Sequence, residues 1–224
     1  LISGNTLGVD FTSGSGQTFI NHGSVIGGVR LASGGASFEN TGLISSEGDG
    51  LSGTSNGAIY LNSGTITGGA NGVNLTGGIV SFSNSGTLQG ENAGFSFSFS
   101  GADIYNSGLV TGNVAVALTS TGSNFLVNTG DLVGGITAVS AIGIGTRIAN
   151  QGSIEAEFTA LSMSGDFSHF INSGFARGNV FAGGVGAVVR NSGTIDGGVY
   201  MGGDGSILKN YGIISDGVFF GAGV

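Results

Sequence analysis

The chain of 224 residues has 49 glycines, no proline, cysteine or tryptophan, and is 39% hydrophobic but only 8% charged, with a formal net charge of −8. That composition excludes a Gly-X-Y collagen helix and a disordered linker, and the missing cysteine removes disulfide frameworks, thiol nucleophiles and thiolate metal sites. The basic residues Arg30, Arg147, Arg177, Arg190 and Lys209 are scattered along the sequence, which speaks against a nucleic-acid partner; no apolar run reaches the length of a transmembrane segment, and no basic, then apolar, export leader opens the chain.

From its start the chain reads as short strands. Leu1-Ile2-Ser3-Gly4 matches Leu109-Val110-Thr111-Gly112, so the sequence begins inside a repeat. Asn-x-Gly then recurs at Asn21, Asn40, Asn62, Asn84, Asn106, Asn128, Asn150, Asn172, Asn191 and Asn210, at intervals of 19 or 22 residues. Two residues before each Asn stands an apolar side chain, from Phe19 and Phe38 through Tyr60 and Phe82 to Val189 and Leu208. Four residues after it stands another, from Val25 and Ile44 to Ile195 and Ile214. These positions are expected to face inward.

A third apolar pair closes each unit. In the 19-residue repeats, and in the last one, it stands eight and ten residues past the Asn, as in Val29 and Leu31, Val180 and Ala182, Val199 and Met201, and Val218 and Phe220. In several longer repeats it comes three residues later, as in Val73 and Leu75, Phe95 and Phe97, and Leu161 and Met163. Inserts such as Ala70-Asn71-Gly72 therefore enlarge one corner. After Asn106 and Asn128 the residues Val114, Val116, Leu118, Ile136 and Ile142 permit either register.

Strands of three to five residues with period-two alternation, punctuated by Gly, Asn and Ser that would supply positive φ at corners, predict an all-β fold. The glycine density argues against helix. Such strands bury a face only by stacking coil upon coil. The expectation is one continuous domain over residues 1–224, a single-stranded parallel β-helix of about ten coils, right-handed and three-sided. It would be a rod roughly 50 Å long at the usual inter-strand spacing. The Asn column should form a structural amide ladder inside it. The sequence stops at Val224, again inside a repeat, so either flanking sequence or end-to-end stacking of copies is expected to cover the strand edges.

The phrases Asn62-Ser63-Gly64-Thr65-Ile66-Thr67-Gly68 and Asn191-Ser192-Gly193-Thr194-Ile195-Asp196-Gly197-Gly198-Val199 resemble the repeats of bacterial autotransporter passengers and large surface adhesins. The resemblance implies an exported rod on or outside the cell that meets a host, cell-surface or matrix ligand, or its own kind. The last repeats also resemble the calcium-binding RTX nonapeptide, Gly-Gly-x-Gly-x-Asp-x-U-x. Gly202-Gly203-Asp204-Gly205-Ser206 and Gly183-Gly184-Val185-Gly186-Ala187 match its glycines, but Ile207 and Val188 occupy the position of the ligand Asp. A calcium row is disfavoured, and no other cofactor is indicated.

Catalytic candidates are sparse. Glu47 with Asp49, and Glu155 with Glu157, are carboxylates two residues apart, but an acid–base pair needs two contrasting environments in a cleft. Asp166, Ser168 and His169 contain the residue types of a triad without a triad's spacing, and His22 and His169 lie too many repeats apart to share a metal. No enzyme is expected, with a polysaccharide-active β-helix as the alternative. One surface feature stands out: Phe181, Tyr200 and Phe219 fall between the inward pairs of the last repeats and should form an outward aromatic row. It would stiffen the sheet, or make contact with another solenoid, a partner or a carbohydrate.

Overall fold

A computed structural model describes residues 1–4, 7–32, 34–54, 56–78, 80–98 and 101–221; Val224 lies outside them. The chain is a parallel β-solenoid of about ten coils with three strands per coil, and the described residues contain no helix. The first strand of each coil ends on the repeat's Asn, from Thr18–Asn21 to Ile207–Asn210, and these ten strands stack in coil order into one sheet. The second and third strands, such as Ser24–Ile26 and Val29–Leu31, stack likewise. From Leu109–Leu118 to Phe175–Ala182 they run into each other through the corner.

In the sheet of first strands every rung pairs equivalent positions. Phe19 lies against Phe38, Phe38 against Tyr60 and Tyr60 against Phe82, with ring centroids 5.9–6.0 Å apart. Phe82 then meets Phe95 of the third face edge-on at 4.8 Å. Beyond it the column continues as Ile104, Leu126, Ile148, Phe170 and Val189, all buried. The residues four past each Asn, Val25 to Ile195, are buried too. A further inward column, Ala36, Ala58, Val80, Ala102, Asn124, Thr146, Ser168 and Ala187, has side chains that, Val80 apart, are too small or too polar for hydropathy to mark it.

The three extra residues of a long coil fall in this part of the repeat but mostly lengthen its strands: Thr65–Gly68 and Asn71–Leu75 are separated by two residues, as Ser24–Ile26 and Val29–Leu31 are, so Asn71 and Gly72 of the expected insert belong to the third strand. The two ambiguous coils resolve differently from each other. After Asn128 the inward pair is Val139 and Ala141, in the register of the other long coils, and Ile136 and Ile142 point out. After Asn106 it is Val116 and Leu118, one residue early, and the ladder shifts register between Gly112 and Val114. The missing residue reappears in the next corner, so the 22-residue interval is kept. In the last coil Val218 and Phe220 keep the inward register against Val199 and Met201, yet are 37% and 55% exposed because no described coil covers them.

The Asn column is an unbroken ladder. Each Nδ2 donates to the Oδ1 of the next Asn at 2.7–2.9 Å, from Asn21 to Asn210. The changes of coil length leave it intact. Asn40, where 19-residue spacing gives way to 22, donates to Asn62, and Asn172, where 22 gives way to 19, donates to Asn191, both at 2.8 Å and both from fully buried side chains. The same nitrogen also faces the carbonyl oxygen of the glycine two residues on, at 2.9–3.3 Å.

The corner chemistry differs from expectation at this point: no Asn of the ladder, from Asn21 and Asn40 to Asn172 and Asn210, and no glycine of an Asn-x-Gly, has a positive φ. Glycine is required there by close approach instead. A Cβ on Gly42, Gly64, Gly86 or Gly130 would lie 2.0–2.2 Å from the carbonyl oxygen of the equivalent glycine one coil below. Positive φ is confined to the other corners, as at Gly27 and Gly186.

Two pairs of substitutions test these constraints. Asn128→Ala leaves the Asn150 Oδ1 and one Asn106 N–H buried without a partner, and should cost about 2–4 kcal/mol, against about 1 for the exposed Asn210→Ala. Gly130→Ala should be at least as damaging, whereas Gly34→Ala, where a Cβ meets nothing within 4 Å, should stay within about 0.5 kcal/mol. Urea midpoints of the four variants decide both comparisons.

Candidate contact surface

Period-two alternation along the third strand turns one side chain per coil outward, and stacking aligns these into a column. It reads Asp10, Arg30, Ser52, Asn74, Ser96, Ala117, Ser140, Ser162, Phe181, Tyr200 and Phe219. Asp10 and Arg30 form a bidentate ion pair at 2.6–2.9 Å. The last three residues form the expected row: Phe181 stacks on Tyr200 and Tyr200 on Phe219, with centroids 4.7 Å apart and planes 18° and 12° from parallel. Phe181 is 37% and Phe219 50% exposed. The stack adds about 0.5–1.5 kcal/mol per pair within the sheet, and its outer edge remains an apolar strip.

The acidic candidates are not drawn together. Asp49 accepts from the side-chain amides of Asn71 and Asn74, at 2.8 Å each, and so braces the wide corner. Glu155 pairs with Arg177 at 2.7 Å and accepts from the Ser153 hydroxyl; Glu157 and Glu47 are exposed. Asp166 accepts from the Val185 N–H, and buried Ser168 donates to the Gly143 carbonyl, so neither addresses His169. The His22 imidazole bonds Thr41, 2.8 Å away. A notch of about 440 Å³ opens where the short corner Gly27 lies below the wider Ser45–Gly48, with Glu47 as its one carboxylate among the described lining. No group of three or more His, Asp or Glu among the described residues is placed to hold a metal. The RTX-like glycines form corners, with Gly186 and Gly205 left-handed at φ 65° and 67°. No described helix is long and apolar enough to cross a membrane.

The basic residues require a correction. Scattered in sequence, three of the five converge on the outward side of the first face in its last four coils. Arg147 and His169 are partners on adjacent rungs, and so are Arg190 and Lys209, with Ile171 beside Arg190. No described acid pairs with Arg147, Arg190 or Lys209. Counting one and three residues back from each Asn would have found this convergence; the linear spacing hides it. His169 is held below the ordinary imidazole range by partial desolvation and then by the charges of Arg147 and Arg190.

The described chain also has one non-glycine residue with positive φ, Phe167 at 55°. The equivalent corner position of neighbouring coils is Gly145, Gly186 or Gly205. Its ring leans over Gly186, where a Cβ would sit 2.8 Å from the ring, and is 59% exposed. A bulky residue in that conformation is strained, and nothing in the sequence marks it until the corners are aligned.

Neither protein-family models, nor curated proteins, nor solved structures contain a match to this chain. The resemblance to adhesin repeats is thus one of repeat style, and the functional reading rests on the fold and the surface.

The convergence of the cations is open to test by titration. Arg147→Ser combined with Arg190→Ser should raise the NMR titration midpoint of His169 toward, but not to, its ordinary value, since desolvation remains. An unmoved midpoint means that the guanidinium groups do not face the ring. In the parent chain the native state favours neutral His169, so its contribution to stability is present above the ordinary imidazole pKa and is lost as pH falls through the lowered folded value.

Proposed function

We propose that this chain is a non-catalytic structural and adhesive β-solenoid of a bacterial surface or secreted protein, a stiff extracellular rod whose side columns make contacts. The observation that carries this reading is the uninterrupted rung pairing of all ten coils about one amide ladder. Such a body supplies length and stiffness, and every outward column is a repeating contact strip. Coil length varies by only three residues, which leaves no long loop to wall a catalytic cleft. The acids engaged by Asn71, Asn74 and Arg177 serve the scaffold.

The aromatic row favours a second reading, a self-assembling extracellular filament. Three stacked rings in line on a strand face, Phe181 and Phe219 exposed and Tyr200 half-buried between them, offer a lateral seam to another copy or a stacking surface to a partner.

An antibody against the purified chain should label intact source cells or their medium; labelling only after permeabilisation overturns the extracellular reading. In sedimentation velocity, mass growing with concentration supports the filament and a constant monomer counts against it. Tyr200→Ser with Phe219→Ser should abolish any such growth while the far-ultraviolet β signal stays unchanged. Turnover of any member of a broad polysaccharide panel would overturn the non-catalytic assignment.

A further inference from the structure

The first face changes sign along the rod. In its first six coils the outward positions hold Glu39 and Asp103 and no cation; in the last four they hold Arg147, His169, Arg190 and Lys209 and no acid. The run moves one coil per residue and crosses from one outward column to the other between His169 and Arg190. It covers three rung intervals of about 4.8 Å; exposed Ile171 lies between His169 and Arg190, and exposed Ile207 stands beside Lys209 in the last coil. On the adjoining corner, two residues before His169, stands the strained and exposed ring of Phe167.

We propose that this face binds a linear acidic polysaccharide, with Arg147, His169, Arg190 and Lys209 meeting its carboxylate or sulfate groups and Phe167 stacking on a sugar ring. Three cations and the His169 imidazole, one per coil at rung spacing, fit a chain with anionic groups spread along its length, neutral His169 donating a hydrogen bond where the others supply charge. The aliphatic side chains beside them fit the C–H faces of pyranose rings. Asp166 and Asp204 on the corner limit how much negative charge the site accepts, although the Asp166 carboxylate is engaged by the Val185 N–H. A net charge of −8 also repels densely charged nucleic acid from the rest of the rod. The stored strain has a rationale here, because a residue that costs stability is retained where its side chain makes a contact.

Glycan binding on this face requires neither a particular site of display for the rod nor the aromatic row on the third face. The test uses the purified chain with labelled polygalacturonate, dextran sulfate, neutral dextran and oligo-dT of matched length, in fluorescence anisotropy at two salt concentrations. Binding of either acidic glycan, weakened by salt and absent with neutral dextran, is the expected result; the two acidic probes separate carboxylate from sulfate recognition. Arg147→Ser/Arg190→Ser/Lys209→Ser should weaken it about tenfold or more, while Phe181→Ser/Tyr200→Ser/Phe219→Ser leaves it unchanged. Phe167→Gly should raise the thermal midpoint and still weaken glycan binding, a pairing that a merely structural role would not give. No binding of either acidic glycan, binding indifferent to the triple-serine variant on the first face, or tighter binding of oligo-dT overturns the proposal.

Discussion

The whole molecule depends on a buried column of amides held in register. One amide per coil, buried on the inward side of the Asn corner, donates to its successor and accepts from its predecessor, and no water is needed to satisfy it. Because each bond polarises the next, such a chain is stronger than its separate links, and a gap in it is costly on both sides. The ladder also forbids slippage. A shift of one residue would remove the Asn from its neighbours and turn the inward apolar side chains outward. Glycine two residues on is the second half of the same constraint, since the backbones at that corner approach too closely for any side chain.

Most of the fold was legible in the sequence because the ladder forces a sequence period. Once Asn84 and Asn106 stack, Phe82 must stack on Ile104 and Leu88 on Val110. Besides the inward column from Ala36 to Ala187, whose residues are mostly small or polar, two features escaped. The displaced register around Val114 was open because Val, Ala and Leu alternate there without a polar residue to mark the outside. The reason for the Asn-corner glycine was misread as positive φ, because a sequence shows that a residue is small but not which neighbour makes it so.

The surface was less legible than the core. Phe181, Tyr200 and Phe219 were found because aromatic residues are conspicuous and occupy the same offset from the Asn. The cations were missed because Arg147 and His169 share one offset while Arg190 and Lys209 share another, and only the pleated sheet makes the two columns neighbours. Phe167 was invisible for a different reason: its anomaly is conformational, and shows only beside the glycines that fill the same corner in other coils. The resemblance to surface adhesins and the columns of the rod bear on the same question from separate directions, one through repeat style and the other through what the strands present to solvent.

The unequal corners have a consequence for how such a rod can change. From two residues before each Asn to four after it, spacing is invariant in all ten coils, whereas the third strand sits between two corners that gain and lose residues. The Asn corner therefore acts as a keel, and the third strand as a plank fastened to it at adjustable length. Segments can be inserted or removed at either end of that strand without touching the ladder or the inner stack. New surface can thus be tried on one side of the rod while the other side keeps every coil in place.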